Sequence, residues 1–506
     1  MTTGGRSRDA QTGPALCIAA LLAFSIVILA RAAARLPFWY DESLTVRLSR
    51  LRLPGELWRA LTAGFEFNPP LIYVATKLGR LLPGPETLTA RLPGLLGYAL
   101  LLGSLFVFLR RRIGPWFAVS AVGLLPLAEY TIRYAIEARA YMLLLGVTGC
   151  ALVFWQQTAE RRSPLAPIAL TLATASALLL HVWAIVLPLA LVVGELVEWA
   201  RTRSIRWRVV WALAASAPVL GLYPVLLRAS RTVVFGGAAY EPTAAKLYAA
   251  FRSDVPRPRV VAAALLAAAL AGWWGRRRGS SKPPAARPFD AAEGAAILVL
   301  LVSPAIPYLY AAAASGAFMT RYAMFGVPAV ISLLGGLLYT LGRGQRIAGQ
   351  AAAAVTLAGV LVYFPGKVPT TGSQSAIVES LAVAGRSLDP SVPLVLVNPV
   401  DVTPFDEQAD EPIRRRAIFV ADPDLALKHT RTNGIDLGYV RGEPYLKLRV
   451  RRVSYPALIS EYRRLYLVGK WQALSWLPQQ LEADGWTLAE IGGTRQAPVF
   501  EALRHE

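Results

Sequence analysis

The sequence predicts an all-α polytopic membrane protein with a small C-terminal α/β domain. Three observations carry that expectation: apolar runs of span length recur through the first 364 positions, basic clusters occupy alternate connecting segments, and the sequence changes character after position 364. The composition agrees, since 55% of the 506 residues are hydrophobic, 17% are charged and mean hydropathy is +0.43. That balance excludes a disordered, collagenous or ordinary soluble chain.

A bilayer core needs roughly 20 apolar residues per helix. The sequence offers about eleven such stretches, at 14–31, 92–109, 115–129, 141–158, 164–181, 183–199, 208–227, 258–275, 289–311, 323–342 and 347–364. The third is short. Residues 1–364 are therefore expected to form one membrane body.

Orientation follows from charge. Basic and acidic residues balance from Pro365 onward, so the net excess of +21 belongs to residues 1–364. Within them it sits in short clusters between apolar segments: Arg6 and Arg8, Arg110 to Arg112, Arg161 and Arg162, Arg201 with Arg203, Arg206 and Arg208, Arg276 to Arg278 with Lys282 and Arg287, and Arg343 with Arg346. A nucleic-acid partner would call for one continuous basic stripe, which is not the pattern here, so none is expected. By the positive-inside rule the clusters mark the cytoplasmic face. The N-terminus is then inside, and an odd number of spans puts residues 365–506 outside, in the periplasm or its equivalent. The expected location is the inner, or plasma, membrane. Reading the first span as a cleaved signal peptide would spoil this alternation.

Two outward segments are long, 32–91 and about 228–257. The first mixes apolar and charged residues (Leu57, Trp58 and Leu61 against Glu56 and Arg59) and contains Pro69-Pro70 before a helical stretch, 71–82, which suggests short interfacial helices. The tail alternates strand-like stretches (394–397, 417–420, 465–468) with helix-like ones (375–387, 476–484), as an α/β domain would. It contains no glycine-rich nucleotide loop. Cys17 and Cys150 both lie in apolar runs and are uninformative about redox compartment.

Acidic residues are scarce among the spans, which makes their positions informative. Asp41 and Glu42 follow the first span and an aromatic run that ends in Tyr40. Glu137, Arg139 and Tyr141 fall where the third and fourth spans meet on the same face. Asn68, Pro69, Pro70, Arg91, His181, Arg321 and Tyr322 fall there too. Ionisable groups beside hydrocarbon are costly unless paired or used. Each residue has a structural alternative: a salt bridge closing a loop, arginines reaching toward headgroups, prolines turning the chain, or an interfacial histidine.

In order, the strings FWYDESLT, NPPLIYV, ARLPGLLG, EARAYMLLL, LLLHVWA and TRYAMFGVPA resemble the membrane glycosyltransferases of family 39 type, relatives of protein O-mannosyltransferases and the lipid A aminoarabinose transferase. The resemblance covers 38 to about 330. It implies a GT-C fold and transfer of a sugar from a polyprenyl-phosphate donor to an extracytoplasmic lipid, glycan or protein. It also implies a general base at Asp41, with Glu42 its less certain neighbour; Glu137, on the same face, is a further candidate acid. An inverting transfer needs a carboxylate within reach of the acceptor hydroxyl. Arg91, Arg139 and Arg321, with Tyr322, would steady the leaving phosphate, and Tyr40, Asn68, Pro69, Pro70 and Tyr141 would line the pocket. A divalent metal is an open question, with His181 the residue to hold it beside Glu137 or Asp41. The lipid A relative has an acidic and a basic residue before its double proline, where this chain has Phe67-Asn68, with Glu66 just before. A polyprenyl-linked sugar transporter is the alternative, although its functional charges would be expected near mid-membrane.

Overall fold

The computed structural model describes residues 5–278, 288–369, 376–384 and 388–504. Lys282 and Arg287 lie outside them, as do the ends of the helix expected at 375–387, which is described as Ala376–Ala384. The protein is a multi-pass helical body joined to a six-stranded sheet.

An apolar helix stands at each of the eleven expected positions, but not all are straight spans. Seven described helices are long and apolar enough to cross a membrane. Two helix pairs reach that length and apolarity only when taken together and are bent at a break: Pro115–Leu127 with Glu129–Ala135 at 66°, and Ala291–Val302 with Ala305–Ala314 at 47°, which gives up to nine spans if each pair crosses as one. Pro126 and Pro304 sit at or beside these breaks, where a missing N–H interrupts the helical ladder. Ala166–Leu180 and Gly326–Leu341 are shorter apolar helices. The first bend turns residues 129–135 out of line with the helix before them, and the turn that follows meets helix Tyr40–Ser49 at Ala138 and Arg139.

Close approach of backbones holds the centre. Leu92–Ile113 packs along Ala140–Ala159, and a Cβ at Gly97 would collide with the backbone of Met142 and Leu143. Small residues at such crossings replace the hydrophobic driving force that helices lack within lipid.

The segment 32–91 folds into short helices, Tyr40–Ser49, Gly55–Ala63, Leu71–Gly79 and Glu86–Thr89. The 71–82 stretch therefore stops at Gly79. The tail sheet consists of β1 (Leu394–Leu396), β2 (Ala417–Val420), β3 (Arg451–Val453), β4 (Arg464–Val468), β5 (Trp486–Thr494) and β6 (Ala497–Arg504), in the order β3-β2-β1-β4-β6-β5. The pairs among β3, β2, β1 and β4 are parallel, and β6 and β5 add antiparallel. The three expected strands are the parallel core strands β1, β2 and β4, whose apolar runs are buried on both faces. Strand β3 is too short and basic to announce itself, and the β5–β6 hairpin is partly exposed, with polar residues at irregular intervals and Gly492-Gly493 within β5.

The tail grips the loops of the body. Arg47 donates to Asp406 Oδ2 at 2.7 Å and to Leu446 O at 2.8 Å, and Ser43 Oγ to Glu407 Oε2 at 3.1 Å. In the second long loop, Val234 N donates to Asn433 Oδ1 at 2.8 Å.

Candidate functional site

The site begins at helix Tyr40–Ser49, nine of whose ten residues are buried. Asp41 and Glu42 lie in its first turn, where the helix dipole favours negative charge. Neighbouring carboxylates have different surroundings. Glu42 accepts from Arg91 Nε and Nη2, both at 2.7 Å, and from Ala138 N at 2.7 Å. The remaining Arg91 hydrogens go to the carbonyls of Ala33 and Leu36, each at 2.6 Å, and Pro37 at 3.0 Å. The two side chains are 1% and 2% exposed. Every N–H of Arg91 is thus committed within the protein, leaving none to reach a ligand. The pair ties the end of the first span to the turn at 136–139.

That tie brings the distant segments together. Arg139 Nη1 donates to Asp41 O at 3.1 Å, Thr45 Oγ1 at 3.0 Å and Glu66 Oε2 at 3.2 Å. Glu66 Oε1 accepts from Asn68 Nδ2 at 3.0 Å, and Pro70 then starts helix Leu71–Gly79. Asn68, Pro69 and Pro70 therefore connect to the centre through Glu66 and Arg139. Tyr40 packs against Tyr439 of the tail, with ring centroids 6.2 Å apart.

Three charged atoms at this centre stand without a hydrogen-bond partner among the described residues: Asp41 Oδ2, Arg321 Nε and Glu137 Oε2. Arg321 Nη1 is 3.2 Å from Asp41 Oδ2, with side chains 20% and 11% exposed. Tyr130 donates to Thr320 O at 2.7 Å and tethers the turn Thr320–Ala323 that bears Arg321 and Tyr322. Glu137 Oε1 accepts from Arg133 Nε at 3.0 Å. Burial raises the Glu137 carboxyl to about 7, against the opposing pull of Arg133 and with a further push from Glu42.

Rings wall the Asp41–Arg321 side. Tyr141 lies 4.7 Å from Tyr134 and 5.6 Å from His181, and His181 lies 5.9 Å from Tyr322, between centroids. His181 Nδ1 accepts from Trp183 N at 3.1 Å. Burial first, then Arg139 and Arg321, push its ring down to about 3, so it is neutral. With Nδ1 accepting from a backbone amide, the neutral ring carries its proton on Nε2, so as placed neither nitrogen turns a lone pair to a cation, and two guanidinium groups stand nearby. Among the described residues no three His, Cys, Asp or Glu side chains gather as metal ligands would.

All thirteen residues singled out in the sequence lie in or beside this assembly. Sequence reasoning missed Arg47 with Asp406, which fix the Asp41 helix, and Tyr134 and Trp183. Arg133 stood in the sequence as part of the loop that holds Glu137 and Arg139, whereas no local signal pairs Arg47 with a residue about 360 positions away.

No model of a known protein family matches the sequence, and no curated protein matches it. Solved structures do match. The crystal structure of ArnT from Cupriavidus metallidurans bound to undecaprenyl phosphate superposes with a TM-score of 0.55 at 16% identity, over 96% of this chain and 97% of that one. The fold is ArnT-like. The apo crystal structure of the same ArnT gives a TM-score of 0.54 at 15% identity, with the same coverage. ArnT likeness thus extends through the helical body and into the tail, and the two chains share an overall architecture at very low sequence identity.

Proposed function

We propose that the chain is an integral membrane glycosyltransferase of GT-C type, which moves a sugar from a polyprenyl-phosphate donor to an acceptor on the outer face of the inner membrane. The observation that carries this reading is the buried Asp41–Arg321–Glu137 centre, whose charged atoms keep unused hydrogen-bonding capacity at the end of a bundle. Buried polar groups are normally satisfied, so a cluster of exceptions points to a ligand. The ArnT-like fold, in a relative crystallised with undecaprenyl phosphate, supports a polyprenyl phosphate as the carrier. The alternation of basic clusters supports an outward-facing site and tail.

In this reading the sugar lies against the rings of Tyr141 and Tyr322. Arg321 offers its fork to the bridging phosphate as negative charge develops there. Asp41 accepts the proton of the acceptor hydroxyl while the acceptor oxygen bonds to the anomeric carbon and the bond to the phosphate oxygen breaks. Attack from the opposite face inverts that carbon and releases polyprenyl phosphate. Arg139 holds the Asp41 helix. Glu42 and Arg91 are positioning residues, because their hydrogen bonds are all spent within the protein.

The test is transfer by purified protein in detergent from a polyprenyl-phosphate-linked labelled sugar, a setting without compartments in which a transporter would have no readout. Asp41→Asn should retain abundance and melting temperature and lose about 10²- to 10⁴-fold in turnover, the usual worth of a positioned base. Wild-type turnover in that variant would refute the assignment.

A further inference from the structure

The second long outer segment, 228–257, is fastened on both sides of its middle. The tail clasps it: Val234 N donates to Asn433 Oδ1 at 2.8 Å, and Val234 O accepts from Thr432 Oγ1 at 2.9 Å and from Asn433 N at 3.2 Å. Phe235 then stands against Gly434, where a Cβ would come 2.7 Å from its ring, and meets Phe67 at 6.1 Å between centroids. Gly237 has φ +69°, and a Cβ there would lie 2.4 Å from Thr430 O, so the close approach of loop and tail calls for glycine on both counts. On the other side Tyr240 O accepts from Phe318 N at 2.8 Å, three residues before Arg321. Lys246 Nζ closes the short helix Gly237–Tyr240, donating to the carbonyls of Ala238, Ala239 and Glu241, each at 3.0 Å.

The turn so heavily braced carries few atoms beyond its backbone. Gly237, Ala238 and Ala239 offer at most a methyl group, which leaves Tyr240 as its one sizeable side chain. The Tyr240 ring packs on Phe235 at 5.1 Å, and Phe67, which touches Phe235, lies between Glu66 and Asn68. The phenol is half-buried and within electrostatic reach of Arg321, Asp41, Tyr40 and Tyr322, so it belongs to the same centre. Burial lifts it to about 12, with Arg321 pulling down and Asp41 pushing up, and it stays protonated. Among the described residues its hydroxyl takes part in no hydrogen bond. A neutral O–H with a donor and lone pairs to spare therefore stands beside the base and the arginine.

Chemistry narrows what it meets. A phosphate calls for a guanidinium fork, and Arg321 already supplies one. A phenol presents an apolar face and a polar tip, which suits the C–H surface and the hydroxyls of a sugar.

We infer that Tyr240 touches the sugar of the donor, hydrogen-bonding one of its hydroxyls, and so helps to decide which sugar is accepted. This rests on the transfer reading given above. The tail acts on sugar choice through the same turn, because Thr432, Asn433 and Gly434 hold the loop on which Tyr240 stands.

The test measures binding to purified full-length protein by native mass spectrometry, with bare undecaprenyl phosphate and its mannosyl, glucosyl and arabinosyl derivatives as separate probes. Wild type should bind at least one sugar-bearing lipid more tightly than the bare one. Tyr240→Phe keeps the ring and its packing on Phe235, and should lose about 3- to 10-fold of that gain, the worth of one neutral hydrogen bond. Its binding of bare undecaprenyl phosphate should not change. Asn433→Ala, which loosens the clasp, should shift the sugar preference in the same direction. Tyr248→Phe, a 70% exposed tyrosine in the same segment, should behave as wild type. An unchanged sugar preference in Tyr240→Phe, or an equal loss for all four lipids as a merely structural role would give, overturns the proposal. An unchanged preference in Asn433→Ala overturns the part given to the tail. Wild-type protein that shows the sugar preference, and its loss in Tyr240→Phe, yet transfers no sugar would strike the enzymatic reading alone.

Discussion

Arg91 offers the sharpest test of how charged groups divide between scaffold and chemistry, because by residue type alone it looks like a phosphate ligand. Its five N–H groups are spent on Glu42 and on the carbonyls of Ala33, Leu36 and Pro37, in surroundings that leave the side chain 2% exposed. Arg91→Ala would strand a buried carboxylate and three carbonyls. Removing one partner of a buried pair costs about 3–5 kcal/mol, because the other charge stays uncompensated. Here Glu42 keeps the Ala138 amide at 2.7 Å, which argues for the lower end, while the freed carbonyls argue for the upper. The double change Arg91→Leu, Glu42→Leu should recover part of the loss, since no charge is then left unpaired. Unfolding should be followed by thermal melting in detergent, in parallel with labelled transfer. The expected pattern is a large fall in melting temperature for the single variant, partial rescue in the double, and turnover that tracks the folded fraction. A single variant that melts like wild type yet has lost turnover would mean that Arg91 meets substrate and that the saturated geometry is misleading.

Arg321→Gln should have the opposite signature, with melting nearly unchanged and turnover down about 10²- to 10³-fold, the cost of removing one aimed donor from a developing oxyanion. Glu137, raised to about 7 by burial, binds a proton in the folded state that the unfolded chain releases near pH 4.5. Its contribution therefore makes the protein less stable as pH rises from about 4.5 to about 7, and constant above that. Glu137→Gln should accordingly melt higher than wild type at pH 8, by up to about 3 kcal/mol for a shift of that size, with little difference at pH 4.5. Arg47→Ala removes the 2.7 Å bond to Asp406 that seats the tail on the Asp41 helix. Limited proteolysis should then cut the tail junction faster, and turnover should fall with it.

The same contrast shows what a linear reading captures. Asp41, Arg139 and Arg321 could be found because charged residues are rare among apolar spans, and each stands out where hydrocarbon would exclude it. The resemblance favoured Asp41 over Glu42, but residue type could not tell why: both occupy the first turn of one helix, and only the fold spends Glu42 on Arg91 and the Ala138 amide while leaving Asp41 Oδ2 facing Arg321 without a hydrogen bond. His181 had the chemistry of a metal ligand, and only the fold shows that its Nδ1 accepts from Trp183 N and that Arg139 and Arg321 lie nearby, surroundings that disfavour a cation there.

Composition and periodicity determined by themselves that the chain is a polytopic helical membrane protein with an α/β tail, because burying apolar surface in lipid and pairing apolar strands leave one-dimensional signatures. Tertiary structure alone decided that two of the apolar stretches are bent helix pairs, that β3 and the β5–β6 hairpin complete the sheet, and that Arg47 meets Asp406. Hydrophobic pattern records which face of an element is buried. It holds no record of which distant partner will satisfy a buried charge, since that depends on how the elements cross in space.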